Sequence, residues 1–416
     1  MRRRKGYARR PRTALDEQGA GATFEVLIER ILPGGLGLAH AEGRTLLVSL
    51  AAPGDRLRVR VTETRGKVSF ASIVEIIEAS PERVEPPCPY FGRCGGCDFQ
   101  QLSYEAQLNA KVSIIKDCLR RIAHLEPPEE IPITPSPIAW QYRSRAQWQY
   151  DSRRGRLGYF ERNSHRVCDV AHCPVLVPAL QDAFKDLRAQ IDTRASLPET
   201  AEFEAVAGEG GASVWPSLSV ETDAREVWRV IAGERYRFSA RGFFQINHEL
   251  LGPLVRAAIS DAYGDTAIDL YCGAGLFTLP LARRFSRVVA VEADRAAIHY
   301  AQLNLADAQL SNAQTHCARV SDWLKENAQT FAPVDLVLLD PPRAGAEEGA
   351  IAGIISLRPR RIAYVSCDPA TLARDLKELT ASNYRLDTIA AFDMFPQTHH
   401  VETVAHISLP IPKIQE

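Results

Sequence analysis

Cys367 lies directly after an apolar run, residues 362–365, and before a stretch, 368–371, that carries the signals of a helix start. A thiol between a strand's C-terminal end and a helix N-terminus sits where α/β sheets keep their ligands. The positive end of the helix dipole there favours the thiolate, the form that acts as a nucleophile. The alternative for a buried free cysteine is an inert core thiol. A second constellation, CPYFGRCGGC, sets Cys88, Cys94 and Cys97 at the spacing C-x5-C-x2-C. Gly92, Gly95 and Gly96 permit tight turns that aim three thiolates at one centre. A fourth ligand must come from elsewhere, and Cys168 and Cys173 in HRVCDVAHCPVL are the candidates. Such a set suits a [4Fe–4S] cluster, with tetrahedral zinc as the rival. Cysteine at every position leaves none open to substrate, which makes the site structural.

The segment AIDLYCGAGLFTLPLA reads as a strand, a Gly-rich turn and a helix. Gly273 and Gly275 let backbone approach a ligand closely. Glu292 ends the next strand, where an acid can bind ribose hydroxyls. Thr278 stands where a dinucleotide fingerprint has its third glycine. That points away from NAD and FAD and toward S-adenosylmethionine, which has no pyrophosphate to cradle.

Asp340 closes a further strand in LVLLDPPRAG, with two prolines stiffening the loop behind it. In amino-methyltransferase loops of this kind an aromatic stacks on the base; here Arg343 takes its place. A thiol on the next strand makes a different reaction natural. Uracil C5 is too weak a nucleophile to take a methyl group directly. Thiolate addition at C6 turns C5 into an enolate carbon that can attack a sulfonium methyl. A base must then remove the C5 proton so that the thiol can leave. His399, His400 and Glu402 in DMFPQTHHVETV are candidates, and the chemistry alone does not choose among them.

These residues need several elements to hold them. At 416 residues the chain is too long for one ordinary core, and two or three domains are expected. Hydrophobic content of 45% and charge of 24% are those of a soluble globular protein. No apolar stretch is long enough to span a membrane, which predicts a cytoplasmic protein whose cysteines bind metal or do chemistry. The net charge of −1 hides an asymmetry: basic residues are in excess over 1–180 and acidic ones beyond. Arg2, Arg3, Arg4, Lys5, Arg9, Arg10 and Arg12 crowd the start, as either a solvated tail or an arm for nucleic-acid phosphates.

Residues 24–31, 45–50, 56–64 and 67–77 read as strands of a small five-stranded barrel of OB type. In RLRVRV, Leu57, Val59 and Val61 alternate with Arg56, Arg58 and Arg60, giving an apolar and a basic face. The basic face suits single-stranded nucleic acid or simple solvation. Leu108, Val112, Ile115, Leu119 and Ile122 predict an amphipathic helix. Strand-like runs at 145–150 and 227–231 lie in a mixed central region. Apolar runs at 266–270, 288–291, 334–339 and 361–365 alternate with helical patterns, the signature of a doubly wound α/β domain. The expected division is a tail over 1–20, a barrel over 21–80, a central region over 81–240 and the α/β domain over 241–416.

FFQIN, DLYCGAG, DPPRAG, SCDPATLARDL and DMFPQTHHVE, in that order, resemble the RNA uracil-C5 methyltransferases from about residue 20 to the C-terminus. The resemblance implies a Rossmann-like domain using S-adenosylmethionine, with the β-module as a TRAM domain. It makes Cys367 the nucleophile and Glu402 the base. It sets Gln245, Tyr271, Glu292 and Asp340 at cofactor-contacting positions and makes Cys88, Cys94, Cys97 and Cys173 the ligands of a [4Fe–4S] cluster. The β-module and cluster cysteines favour the 23S rRNA branch over the tRNA branch, which usually lacks both. The same chemistry on tRNA is the alternative, and an RNA-binding assembly factor the non-enzymatic one. Arg143 and Arg145 fall in a segment such enzymes turn toward RNA phosphates, with a charged strand face as the alternative. Phe243 and Phe244 are either stacking surfaces or core. Leu276 and Arg319 depart from the family pattern, replacing polar residues near the cofactor. RNA is the expected partner, with no membrane and no obligate protein partner.

Overall fold

The structure, a computed structural model, describes residues 21–193, 200–218, 225–329, 331 and 333–410; the basic tail lies outside them. These residues divide into two compact units. One runs to Glu85 and includes Gln101–Ser103; the other holds Pro86–Gln100 and everything from Tyr104.

In the first unit β1 (Thr23–Leu27), β2 (Arg30–Leu32), β3 (Leu36–Ala41), β4 (Arg44–Ser49), β5 (Arg56–Arg65) and β6 (Val68–Glu78) form one sheet, ordered β1-β5-β6-β4-β3-β2. Six strands replace the five expected: the run over 24–31 divides into β1 and β2, and β3 was not among the runs read, because LGLAHA lacks the β-branched residues that announce a strand. Leu57, Val59 and Val61 are fully or nearly fully buried, as their alternation predicts. Two of the alternating arginines meet acids across the sheet: Arg58 reaches Glu25 at 2.8 Å and also pairs with Glu75, and Arg56 lies 3.7 Å from Glu78. That face is therefore an ion-pair network as much as a basic surface.

The second unit begins with α1 (Tyr104–Cys118), closed by a π turn, and a short strand β7 (Ile133–Thr134). The helix buries Gln107, Lys111, Ile114 and Ile115 rather than the purely apolar stripe read from the sequence. Next come β8 (Arg145–Asp151), β9 (Arg156–Phe160), β10 (Val167–Asp169), α2 (Pro178–Asp192), β11 (Thr200–Gly208) and β12 (Gly211–Trp215). They make an antiparallel sheet, β10-β9-β8-β11-β12, with one face packed on α2 through Trp148, Leu180, Phe184 and Phe203. A hairpin, β13 (Val227–Ile231) and β14 (Glu234–Phe238), follows.

The remaining chain is doubly wound: α3 (Leu251–Ile259), β15 (Gly264–Leu270), α4 (Thr278–Ala282), β16 (Phe285–Glu292), α5 (Arg295–Asp307), β17 (Ala313–Cys317), α6 (Val320–Asn327), β18 (Leu336–Leu339), α7 (Ala350–Leu357), β19 (Arg361–Ser366), α8 (Pro369–Ala381), β20 (Arg385–Phe392) and β21 (Glu402–Ser408). The sheet runs β17-β16-β15-β18-β19-β21-β20-β7. Its strands from β17 to β19 are parallel, and β21 is antiparallel to both neighbours. The order reverses at β15, between β16 and β18, which opens a crevice at their C-terminal ends. No helix among the described residues is long and apolar enough to cross a membrane.

Candidate active site and cysteine centre

The crevice collects the candidate cofactor residues. Gly273 follows β15 with φ 54°, and a Cβ there would meet nothing within 4 Å, so its backbone faces open space. Its N–H donates to Glu292 Oε2 at 3.2 Å, while Glu292 Oε1 accepts from Asp294 N at 2.8 Å. Two backbone donors thus fix the carboxylate at the end of β16. Tyr271 also takes a positive φ of 62°, and its hydroxyl accepts from Glu347 N at 3.1 Å. Gln245 Nε2 donates to Asp340 Oδ2 at 3.1 Å, joining the FFQIN segment to the end of β18. Burial, opposed by that hydrogen bond, raises the Asp340 carboxyl to about 7. Leu276 packs into the domain core, and Arg319 reaches Glu347 at 3.3 Å.

Asp269 joins this site without having been among the residues expected there. It is fully buried, its Oδ2 accepts from Thr278 Oγ1 at 2.5 Å, and its Oδ1 has no partner. Burial raises its carboxyl to about 7. An acid opening the D-L-Y-C-G run was the available signal.

Cys367 follows β19, and β21 runs antiparallel beside it. The register pairs Ser366 with Thr403, and the Thr403 hydroxyl donates to Ser366 O at 3.0 Å. One step further along this register, Glu402 comes opposite Cys367. Glu402 is 1% exposed and its Oε1 has no hydrogen-bond partner. Burial, then the Asp340 charge, pushes its carboxyl well above the usual range, against the pull of Arg343.

The helix start does not lower the Cys367 thiol as expected. Burial raises it to about 12, with Glu402 and Asp340 adding to the push and Arg343 opposing it. The cap explains part of this. Asp368 accepts from Ala370 N at 2.9 Å and Thr371 N at 3.0 Å, so a carboxylate already occupies the helix N-terminus. Burial and the neighbouring carboxylates thus disfavour the thiolate in the free protein.

The two histidines differ from Glu402. His399 is bound through Nδ1 to Asp98 Oδ2 at 2.5 Å. His400 is lowered to about 2, by burial and then by surrounding positive charge, which makes it a weak base.

Cys88, Cys94, Cys97 and Cys173 line one cavity with Gln100, Arg143 and Tyr159. Turns shape the loop: Phe91 N donates to Cys88 O at 3.0 Å, Cys94 N to Tyr90 O at 2.8 Å, and Gly96 N to Cys94 Sγ at 3.4 Å. The end of β9 clamps it through Gly95 N to Phe160 O at 2.9 Å. Burial pushes Cys94 to about 11 and Cys97 to about 12, and raises Cys88. Cys168 is a buried residue of β10 that accepts from Arg93 Nε at 3.2 Å. Among the described residues no three His, Cys, Asp or Glu are grouped to hold a single metal ion. Arg143, in the segment read as facing RNA phosphates or as a charged strand face, lines this cavity, where its charge draws Cys97 down. Phe244 is buried and stacks on Phe238 at 4.0 Å, whereas Phe243 is 60% exposed.

Residues 220–408 match the family described as tRNA (Uracil-5-)-methyltransferase, and residues 24–82 match the TRAM domain of tRNA (uracil(54)-C(5))-methyltransferase. The 23S rRNA (uracil(1939)-C(5))-methyltransferase RlmD of Pectobacterium atrosepticum is 33% identical over 91% of this chain and 92% of its own. The RlmD protein of Pseudomonas entomophila is 34% identical over 92% and 93%. A crystal structure of Pyrococcus abyssi tRNA (uracil-54, C5)-methyltransferase with S-adenosyl-L-homocysteine superposes with a TM-score of 0.70, at 25% identity over 92% of this chain and all of that one. The TRAM match carries a tRNA enzyme's name, so this module does not separate the rRNA branch from the tRNA branch. Similarity of this extent, running through both the β-module and the doubly wound sheet, means that the chain belongs to the RNA uracil-C5 methyltransferases.

Proposed function

We propose that the protein transfers a methyl group from S-adenosylmethionine to C5 of a uridine in 23S rRNA through a covalent adduct on Cys367. The observation that carries the mechanism is the buried Glu402, with an unpartnered oxygen, next to the Ser366–Thr403 pair that ends the register and close enough for its charge to raise the Cys367 thiol. The Cys367 thiol first gives its proton to solvent, its thiolate adds to uracil C6, and the electron pair of the C5–C6 double bond moves to C5. C5 then bonds to the methyl carbon as the sulfonium bond breaks, leaving S-adenosylhomocysteine. Glu402 takes the C5 proton, the double bond re-forms, and the Cys367 thiolate is expelled. A raised carboxyl is a strong base once ionised, which favours Glu402 over His400. Arg343 draws both Cys367 and Glu402 toward their charged forms. Gln245, Tyr271, Glu292 and Asp340 bind the methyl donor in this reading.

The choice of 23S rRNA rests on the RlmD relatives. Unmodified 23S rRNA and tRNA transcripts offered together discriminate: 5-methyluridine in the rRNA alone is expected, and in the tRNA alone would overturn the choice.

The donor set of the cysteine cavity fits a [4Fe–4S] cluster held by Cys88, Cys94, Cys97 and Cys173. Bound there it would cross-link the 88–97 loop to the segment after β10. Protein purified without oxygen should contain iron and sulfide and lose both in Cys97→Ser; zinc in their place would overturn the assignment.

A further inference from the structure

Beyond the reacting centre, the sheet β10-β9-β8-β11-β12 has a face that α2 does not cover. Register places Gln147 opposite Glu204 and Glu204 opposite Trp215, so the three side chains form one row. Trp215 is 40% exposed, and the Arg241 guanidinium lies 6.0 Å from its ring centroid. Two residues on, exposed Phe243 has Arg145 5.4 Å from its own ring. Arg145 is fixed there, donating to Gly242 O at 2.6 Å and to Glu204 Oε2 at 2.9 Å.

A single exposed aromatic needs no explanation. Here two arginine–aromatic pairs adjoin the same short segment, and that segment ends at Gln245, which holds Asp340. We infer that Trp215 and Arg241 form a second stacking step, beyond Phe243, for an unpaired RNA nucleotide flanking the target uridine. Arginine planes and aromatic faces together are what single-stranded bases stack on. Glu204 is occupied by Arg145 and Gln147. The row therefore presents a ring face, with the Arg241 guanidinium over Trp215. Because uracil C5 and C6 are hidden in a stacked helix, the target must be unstacked, and its neighbours then need new stacking surfaces.

The inference rests on RNA methylation by this chain, and the test separates the two. With an unmodified 23S rRNA transcript, Trp215→Ala should raise KM for RNA about tenfold, the loss of one stacked base. Trp215→Phe should stay within about twofold, and Arg241→Gln should lower the salt slope of binding by about 1. S-adenosylmethionine affinity should be unaffected in all three. In the wild-type protein, 4-thiouridine placed at the nucleotides flanking the target should cross-link to Trp215, a readout independent of whether the alanine variant folds. An RNA affinity for Trp215→Ala within twofold of wild type, or cross-links that never map to Trp215, would overturn the inference while methylation persists. A wild-type protein that methylates no RNA would overturn the functional reading and this inference with it.

Discussion

Lys111 of α1 and Asp393, in the segment that leads to Glu402, form an ion pair in which both side chains are fully buried. Lys111 also donates to Phe395 O at 3.0 Å, and the Tyr104 hydroxyl donates to Asp393 Oδ2 at 2.8 Å. A cysteine-region helix thereby grips the strand connection that sets Glu402 opposite Cys367. Removing one partner of a buried pair leaves the other charge uncompensated. Lys111→Met is expected to lower unfolding free energy by about 3–5 kcal/mol. Denaturant titration checks this, and a loss below 1 kcal/mol would contradict it.

Glu402→Gln should divide the reaction into halves. Attack and methyl transfer do not need the carboxylate, whereas elimination does. Turnover is expected to fall by about 10²–10⁴-fold, with a methylated RNA–protein adduct accumulating as a band of retarded mobility. A Glu402→Gln protein that turns over normally would remove Glu402 from the mechanism.

Asp269 gives a pH signature. Its carboxyl is raised to about 7 from an ordinary value of 3.8. Between these limits the unfolded chain ionises while the folded one keeps its proton, so this group lowers stability as pH rises and has no further effect above about 7. Asp269→Asn should therefore gain stability over wild type progressively from pH 4 to 7, by about 2–4 kcal/mol in total. Urea midpoints at a series of pH values measure it; a constant difference would contradict the account.

The parallel core was legible because strands buried on both faces are continuous apolar runs, as at 288–291 and 362–365. The β3 strand was not, since Gly37, Ala39 and His40 carry little strand signal. The face of α1 was misread because Lys111 and Gln107 are buried with polar partners more than two hundred residues away, a pairing periodicity does not encode. That Arg143 lines the cysteine cavity was not legible for a related reason: its neighbours along the chain do not reveal what packs against it in space. The Cys367 environment reversed its expected acidity because the thiol is buried among carboxylates that converge only in three dimensions.

The central claim is that Cys367 bonds to the target base. The protein incubated with 5-fluorouridine-substituted 23S rRNA and S-adenosylmethionine tests it, since fluorine at C5 blocks the final proton removal. The account predicts a denaturation-resistant complex whose RNA-linked peptide contains Cys367 and which Cys367→Ala cannot form. Methylation of ordinary 23S rRNA without any such complex on the fluorinated RNA would contradict it.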